Sequence, residues 1–459
     1  VLGIGCFLSM ALLSSAQSKL DSLHHLNEVV VTARINKEVI PVQSLSGHKW
    51  EKLAAHSVAD AIRYFSGVQI KDYGGIGGLK TVNIRSMGTN HVGVFYDGIE
   101  LGNAQNGVID LGRFSLDNME AVTLYNGQKS AIFQPAKDFG SAGSIYLQSR
   151  TPVFREDRAY HVKATFKTGS FGVVNPSLLW EQKLSENVSA SLSTEYMYTT
   201  GKYKFTYAVD GGYDTTAIRR NGDVNALRAE SGLYGKIKSG YWRTKAYFYN
   251  SERGYPGAVV RNRFSHEDRQ WDTNFFFQSS FKKDFGDVYS LLLNAKYAYD
   301  YLHYLADPQK EEATMYVNNT YRQQEVYLSM ANRVTLFPFW DINISADYQW
   351  NKLNANLTDF PYPRRNTALV AAATSLHFER FKLQASVLGT FVNENVASDT
   401  TSAGNKMEFT PTVITSYKPF KNIDLSLRAF YKRIFRMPTL NDLYLSLIHI
   451  SEPTRRSYI

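Results

Sequence analysis

Ile342, Ile344, Ala346, Tyr348 and Trp350 alternate with Asp341, Asn343, Ser345, Asp347 and Gln349. A period of two marks a strand whose faces meet two different environments. The pattern recurs near 160–168, 174–184, 188–198, 229–238, 241–249, 271–282, 288–300, 321–336, 340–351, 367–379, 381–393, 406–417 and 422–434. These about 13 segments mostly reach the roughly ten residues that a tilted strand needs to cross a bilayer. Their connections fall into two classes. Short links at 184–187, 283–287, 337–340 and 418–422 alternate with long ones near 199–228, 250–270, 301–320, 352–366 and 394–405. A soluble all-β domain seldom combines such long strands with two loop sizes, whereas an antiparallel transmembrane β-barrel requires both.

Residues 24–150 follow another pattern. Ser57 caps a predicted helix over 57–66, with Asp60 at the capping-box position, Val58, Ala61, Ile62 and Phe65 at helical spacing, and Gly67 as its stop. Short strands follow at 79–85 and 91–96, with an Asp97-Gly98 turn into 99–101, and again at 119–125 and 143–149. The fold class is therefore an α+β domain followed by an antiparallel transmembrane barrel. Ahead of it, Leu26–Ala33 (LNEVVVTA) is a β-branched run after polar residues, with nothing obvious to pack on. Residues 1–13 are apolar and uncharged, and Ser14-Ser15-Ala16 suits cleavage before Gln17. Residues 1–16 read as a partial signal peptide, too short for a permanent span. Cys6 falls inside it, and the alternative of a lipid-modified cysteine fits less well, because most of the apolar run follows Cys6.

Composition narrows the classes. Of 459 residues, 30 are Tyr and 27 Phe, an enrichment expected where amphipathic strands set aromatics at an interface. The single cysteine excludes a disulfide scaffold and a Cys-based zinc site. The net charge of +9 is spread without a clustered basic run, so no nucleic-acid partner is expected. There is no HExxH and no GxSxG, and His266-Glu267-Asp268 has no partner at ligand spacing, so no enzyme and no cofactor are expected.

Several motifs resemble those of TonB-dependent outer-membrane receptors, in the family's order. LNEVVVTA resembles the TonB box, SVADAIRYFSGVQI the plug helix, and TVNIRSMGTNHVGVFYDGIEL the plug core. MEAVTLYNGQKSAIFQPAKDFGSAGSIYLQSR resembles the end of the plug, and FRMPTLNDLYL (Phe435–Leu445) a barrel signature. Ser86 and Met87 depart from the usual residues after Arg85, as do Asn126, Gln128 and Lys129 in their segment. The resemblance implies a TonB-box segment at 17–34, a plug at 35–150 and a barrel at 151–445. The family's barrel has 22 strands, so about 13 make this chain read as a fragment, with 446–459 (SLIHISEPTRRSYI) a non-native tail. Within the family the likeness is nearest to vitamin B12 and siderophore receptors. It implies active uptake of a large scarce nutrient, a corrinoid or ferric chelate, with TonB, its inner-membrane motor proteins and outer-membrane lipid as partners. The alternative is a passive porin or adhesin barrel.

Candidate site residues follow. Glu28, Val29, Val30, Val31, Thr32 and Ala33 would add as a strand to TonB. Tyr73, Gly74 and Gly75 lack nucleotide-loop spacing, and read either as a ligand-facing tip or as a turn needing positive φ. Asn103, Gln105 and Asn106 offer neutral amides to a large polar ligand. Arg85, Asp97, Arg113 and Glu120 are candidates for seating the plug on the barrel. Asp210, Asp214 and Asp223 are weak calcium candidates, matching no EF-hand.

Overall fold

A computed structural model describes residues 42–445 apart from 47–54, 56, 74, 77, 156–157, 210–212, 257–267, 307–315, 398–401 and 421–424. The expected signal peptide, the TonB-box segment and the tail at 446–459 lie outside these residues. The described residues fall within one compact unit, Glu38–Ile459.

In the N-terminal domain, helix α1 (Val58–Ile62) starts where its cap predicts, the Asp60 carboxylate accepting from the Ser57 backbone N–H at 3.1 Å. It is shorter than the predicted 57–66, because the chain turns after Ile62 and passes Gly67 at φ +77° into a strand. The strands are β1 (Val42–Ser46), β2 (Val68–Asp72), β3 (Lys80–Ile84), β4 (Val92–Tyr96), β5 (Ile99–Glu100), β6 (Met119–Tyr125) and β7 (Gly143–Ser149). Sheet order is β1-β6-β7-β4-β5, with β4 and β7 parallel, and β2 and β3 form a separate hairpin. Asp97 and Gly98 both take positive φ (52° and 87°), which a two-residue hairpin turn demands. Ser86 also sits at positive φ (60°), where the family pattern places a glycine that would adopt it without strain. Ile62, Val94, Tyr96, Leu111, Val122, Leu124 and Ile145 make the core.

The second part is a 13-stranded antiparallel sheet. Its strands are β8 (Tyr160–Gly169), β9 (Val173–Lys183), β10 (Val188–Thr199), β13 (Val224–Ile237), β14 (Gly240–Tyr255), β15 (Asp268–Phe285) and β16 (Tyr289–Ala306), then β17 (Val317–Phe337), β18 (Trp340–Ala355), β19 (Arg364–His377), β20 (Phe381–Asn395), β21 (Lys406–Tyr417) and β22 (Leu427–Lys432). Each falls on one of the alternating segments; several run further into the loops than the alternation predicts, while β22 is shorter than the expected 422–434. Tyr203–Val209 and Tyr213–Arg219 (β11 and β12) form a hairpin inside the expected loop at 199–228. The links at 184–187, 238–239, 286–288, 338–339 and 378–380 are short and share one end, where the connection from Tyr417 to Leu427 is longer than the expected 418–422. At the opposite end Thr199 and Val224, Tyr255 and Asp268, Ala306 and Val317, Ala355 and Arg364, and Asn395 and Lys406 are joined by longer connections. The first link at the loop end, 170–172, is short.

The alternation is inverted relative to a soluble protein. On β18, Asn343 and Ser345 are 0% exposed while Ile344, between them, is 56% exposed. Polar side chains point inward and apolar ones outward along β16 to β20, and that arrangement is stable only if the outer surface meets hydrocarbon. No helix among the described residues is long and apolar enough to cross a membrane. At the short-turn end, Phe337, Phe339, Trp340 and Phe378 stack in a row, as an interfacial aromatic girdle does.

Candidate functional site

The inward face of the sheet wraps the N-terminal domain, and its polar side chains are spent on it. Lys167 on β8 pairs with Asp117 (2.8 Å). On β13, Arg228 donates to the Gly112 carbonyl (2.8 Å), and Glu230 accepts from the Tyr96 hydroxyl. Gln278 on β15 donates to the Tyr96 carbonyl (3.1 Å), and Lys296 on β16 to that of Glu100 (2.5 Å). Asp347 on β18 accepts from the backbone N–H groups of Ala136 (3.2 Å) and Lys137 (2.7 Å). Lys432 on β22 donates to the Ser141 carbonyl (2.7 Å). Apolar contact adds to this where Ile132, Ala136 and Phe139 pack on Leu369, Ala371 and Leu388.

The densest cluster centres on Asp97. Lys245 lies 2.9 Å from its Oδ2 and Arg243 3.1 Å from its Oδ1, and Ser149 donates both its N–H (2.9 Å) and its hydroxyl (2.7 Å) to it. Lys245 also pairs with Glu230 (2.9 Å) and contacts Ser149. Burial raises the cost of ionising Asp97, but Lys245 and Arg243 outweigh it and hold the carboxyl at about 2, below its usual 3.8. A depressed carboxylate stabilises the fold above its unfolded pKa, and that contribution is lost as pH falls through the folded value. The seat should thus weaken between about pH 4 and pH 2, by about 2–3 kcal/mol. Denaturant unfolding over that range checks this; an Asp97→Asn variant with an unchanged acid slope would refute it.

A second link runs from Arg253 on β14 to Asp110 (3.3 Å) and Asp272 on β15 (2.5 Å). It lies near the loop end, beside the tips expected to face ligand. Tyr73 is exposed there, and Gly75, at φ +70°, donates its N–H to Asp72 (2.8 Å), so the turn reading has a direct backbone basis. Gly74 lies outside the described residues. The amides of Asn103 and Asn106 brace their own turn, through Val108 O (3.2 Å) and Val108 N (3.0 Å). Gln105 is buried, its N–H bonded to Gln323 on β17 (2.8 Å). A short helix α2 (Leu440–Tyr444) clamps this tip, the N–H groups of Leu440 and Asn441 reaching the carbonyls of Ala104 and Gln105 (2.8 Å each).

Of the residues expected to seat the domain, Asp97 is the one with ion pairs to the sheet. Arg113 meets it through its carbonyl, which accepts from the Tyr247 hydroxyl (2.7 Å), while its guanidinium lies over Phe114. Arg85 and Glu120 are exposed, Arg85 folding along Gly67 and Glu120 accepting from Gln148. Both stand on parts of the domain that the sheet does not cover, so water solvates them. Asp223 faces Arg269 (2.9 Å) and Asp214 lies on β12; Asp210 is outside the described residues. Among the described residues no group of three or more His, Cys, Asp or Glu could hold a metal. Sequence reasoning missed Arg243, Lys245, Glu230 and Arg253, although the phase of alternation on β13 and β14 marks them as inward.

Residues 34–140 match the family model of the TonB-dependent Receptor Plug Domain. The N-terminal domain is a TonB-dependent receptor plug. The described residues have the plug-and-barrel fold, with thirteen strands in the large sheet. The chain resembles solved structures of that fold. It is similar to the FrpB iron transporter from Neisseria meningitidis, at 12% identity and a TM-score of 0.67, over 87% of this chain and 64% of that one. The copper transporter OprC gives 13% and 0.65, over 87% and 63%. The ferric yersiniabactin uptake receptor FyuA from Yersinia pestis gives 12% and 0.60, over 83% and 62%. The chain thus spans less than two thirds of the length of these structures. Within the plug, the Asp97 cluster joins β4, β5 and β7 to the barrel strands β13 and β14.

Proposed function

We propose that the chain serves energised uptake of a large, scarce metal chelate or corrinoid across the outer membrane. The observation that carries this is the filled interior: buried ion pairs and hydrogen bonds on strands from β8 to β22 hold the plug. Passage of cargo then requires the plug to move or partly unfold, which needs work from outside the barrel. TonB, driven through its inner-membrane motor proteins, would supply that work by gripping Glu28–Ala33. Cargo would bind at the loop end, near Tyr73, Gly74, Gly75 and the tip at Asn103, Gln105 and Asn106. No bond in the cargo is broken.

Iron, copper and ferric-siderophore cargoes are named for proteins of this fold, and they favour a metal chelate. Measuring iron, cobalt and copper bound per receptor purified from outer membranes tests it. Near-stoichiometric iron or copper is expected for a chelate importer, and cobalt for a corrinoid importer. A receptor that carries none of the three after incubation with ferric siderophores and cobalamin would count against the proposal.

A further inference from the structure

The plug tip at 103–107 is covered by a strap, Arg436–Tyr444, which ends in helix α2. The Arg436 guanidinium rests on Gly107, where a Cβ would collide with it, and donates to the Asn90 carbonyl. Thr439 caps α2: its hydroxyl accepts from the Asp442 N–H (3.1 Å), and its own N–H donates to the Asp442 carboxylate (3.0 Å). So fixed, Leu440 and Asn441 reach the carbonyls of Ala104 and Gln105 (2.8 Å each). Leu440 is 0% exposed and packs with Leu353 on β18 and with Phe360 in the loop 356–363. At the far end the Tyr444 hydroxyl donates to Glu394 on β20 and accepts from the Ala403 N–H (3.4 Å). One short strap thus joins the plug tip to two loops.

With the strap in place, the tip's polar groups are engaged. The Ala104 and Gln105 carbonyls are held by α2, the Gln105 N–H by Gln323, and the Asn103 and Asn106 amides by their own turn. Gln105 is 7% exposed. Two terms work against this closed arrangement. Burial disfavours the charged form of Arg436. Asp359 and Tyr362, flanking Phe360-Pro361, sit at positive φ (57° and 49°), a strained conformation for side chains of their size. We propose that the strap Arg436–Tyr444 competes with cargo for the plug tip. It is closed in the empty receptor, and cargo binds where it lifts, taking over the carbonyls of Ala104 and Gln105. Those groups are acceptors, so the cargo face that meets them carries N–H or O–H donors. The competition rests on the proposed binding of cargo at this tip. The apparent affinity of a site that is open only part of the time falls by the open fraction. A looser strap therefore tightens binding, whereas an element that merely shapes the tip would weaken it when loosened.

The test measures tip exposure and probe affinity in the full receptor. Exposure is read from the rate at which a maleimide labels Gln105→Cys; the chain's one native cysteine, Cys6, falls in the expected signal peptide. Affinity is read, without that cysteine, from fluorescence quenching by ferric enterobactin and by cyanocobalamin. Leu440→Ala should speed labelling and lower the Kd of whichever probe binds about tenfold. If that variant fails to fold, Tyr444→Phe, which loosens the strap without touching the plug, should lower it about threefold. Val122→Ala, a truncation in the plug core, should leave labelling unchanged. Unchanged labelling in Leu440→Ala overturns the proposal, as does an equal rise in Val122→Ala, which would mean a general loosening of the plug. Faster labelling with equal or weaker probe binding makes the strap a support of the tip and overturns it too. If neither probe binds wild type or the loosened receptor, cargo binding at the tip fails first and the competition falls with it.

Discussion

Replacing Lys245 by Met is expected to weaken the plug's seat by about 3–5 kcal/mol, the usual cost of removing one partner from a buried ion pair. Lys245 is 1% exposed, and its ammonium holds Asp97 and Glu230 together across the plug–barrel boundary. Without it, both carboxylates stay buried with fewer counter-charges, although Arg243 still reaches Asp97 and Tyr96 still reaches Glu230. The denaturant midpoint of the plug transition should fall, and large antibiotics normally excluded from the barrel should enter cells. Adding Asp97→Asn and Glu230→Gln should recover much of the loss, because the orphaned charges are then gone. A Lys245→Met receptor with wild-type plug stability and no leak would mean that the cluster does not hold the plug.

Val30→Pro should abolish energised uptake while leaving cargo affinity unchanged. A segment that adds as a strand to a partner's sheet edge depends on its backbone N–H groups, and proline removes one and fixes φ. Val29 and Val31 project to one side of such a strand and Val30 to the other, so the substitution acts through the backbone more than through a lost pocket contact. The checks are transport of radiolabelled cargo in cells and equilibrium binding to the purified receptor. Uptake that survives in the variant would remove the coupling role from Glu28–Ala33. Loss of uptake and binding together would point to a folding defect instead.

Much of the architecture is legible in the sequence. The thirteen alternating segments correspond to the thirteen strands, and the Asp97-Gly98 turn and the Ser57 cap stand where the residues require them. What the alternation alone leaves open is which face is inside. The two classes of loop and the aromatic excess pointed to a membrane, and the exposed Ile344 between buried Asn343 and Ser345 agrees. The β11–β12 hairpin was missed although Tyr203–Val209 and Tyr213–Arg219 have strand composition. Each is only seven residues long and falls inside a stretch read as one long loop. Helix α2, at five residues, is too short for a helical period to show.

The seating contacts were the least legible part. Asp97, Arg85, Arg113 and Glu120 looked equivalent as charged plug residues, but one of them forms ion pairs with the barrel. Arg243 meets Asp97 across 146 positions of chain, a match set by the depth of the plug and the register of β14. Periodicity, caps and turns are local, because each follows from how neighbouring side chains partition and which φ they accept. The sequence by itself therefore determined the strands, their order and the split into plug and barrel. Which buried charge meets which was decided only by the tertiary structure, because burying a charge is tolerable only where folding delivers its partner.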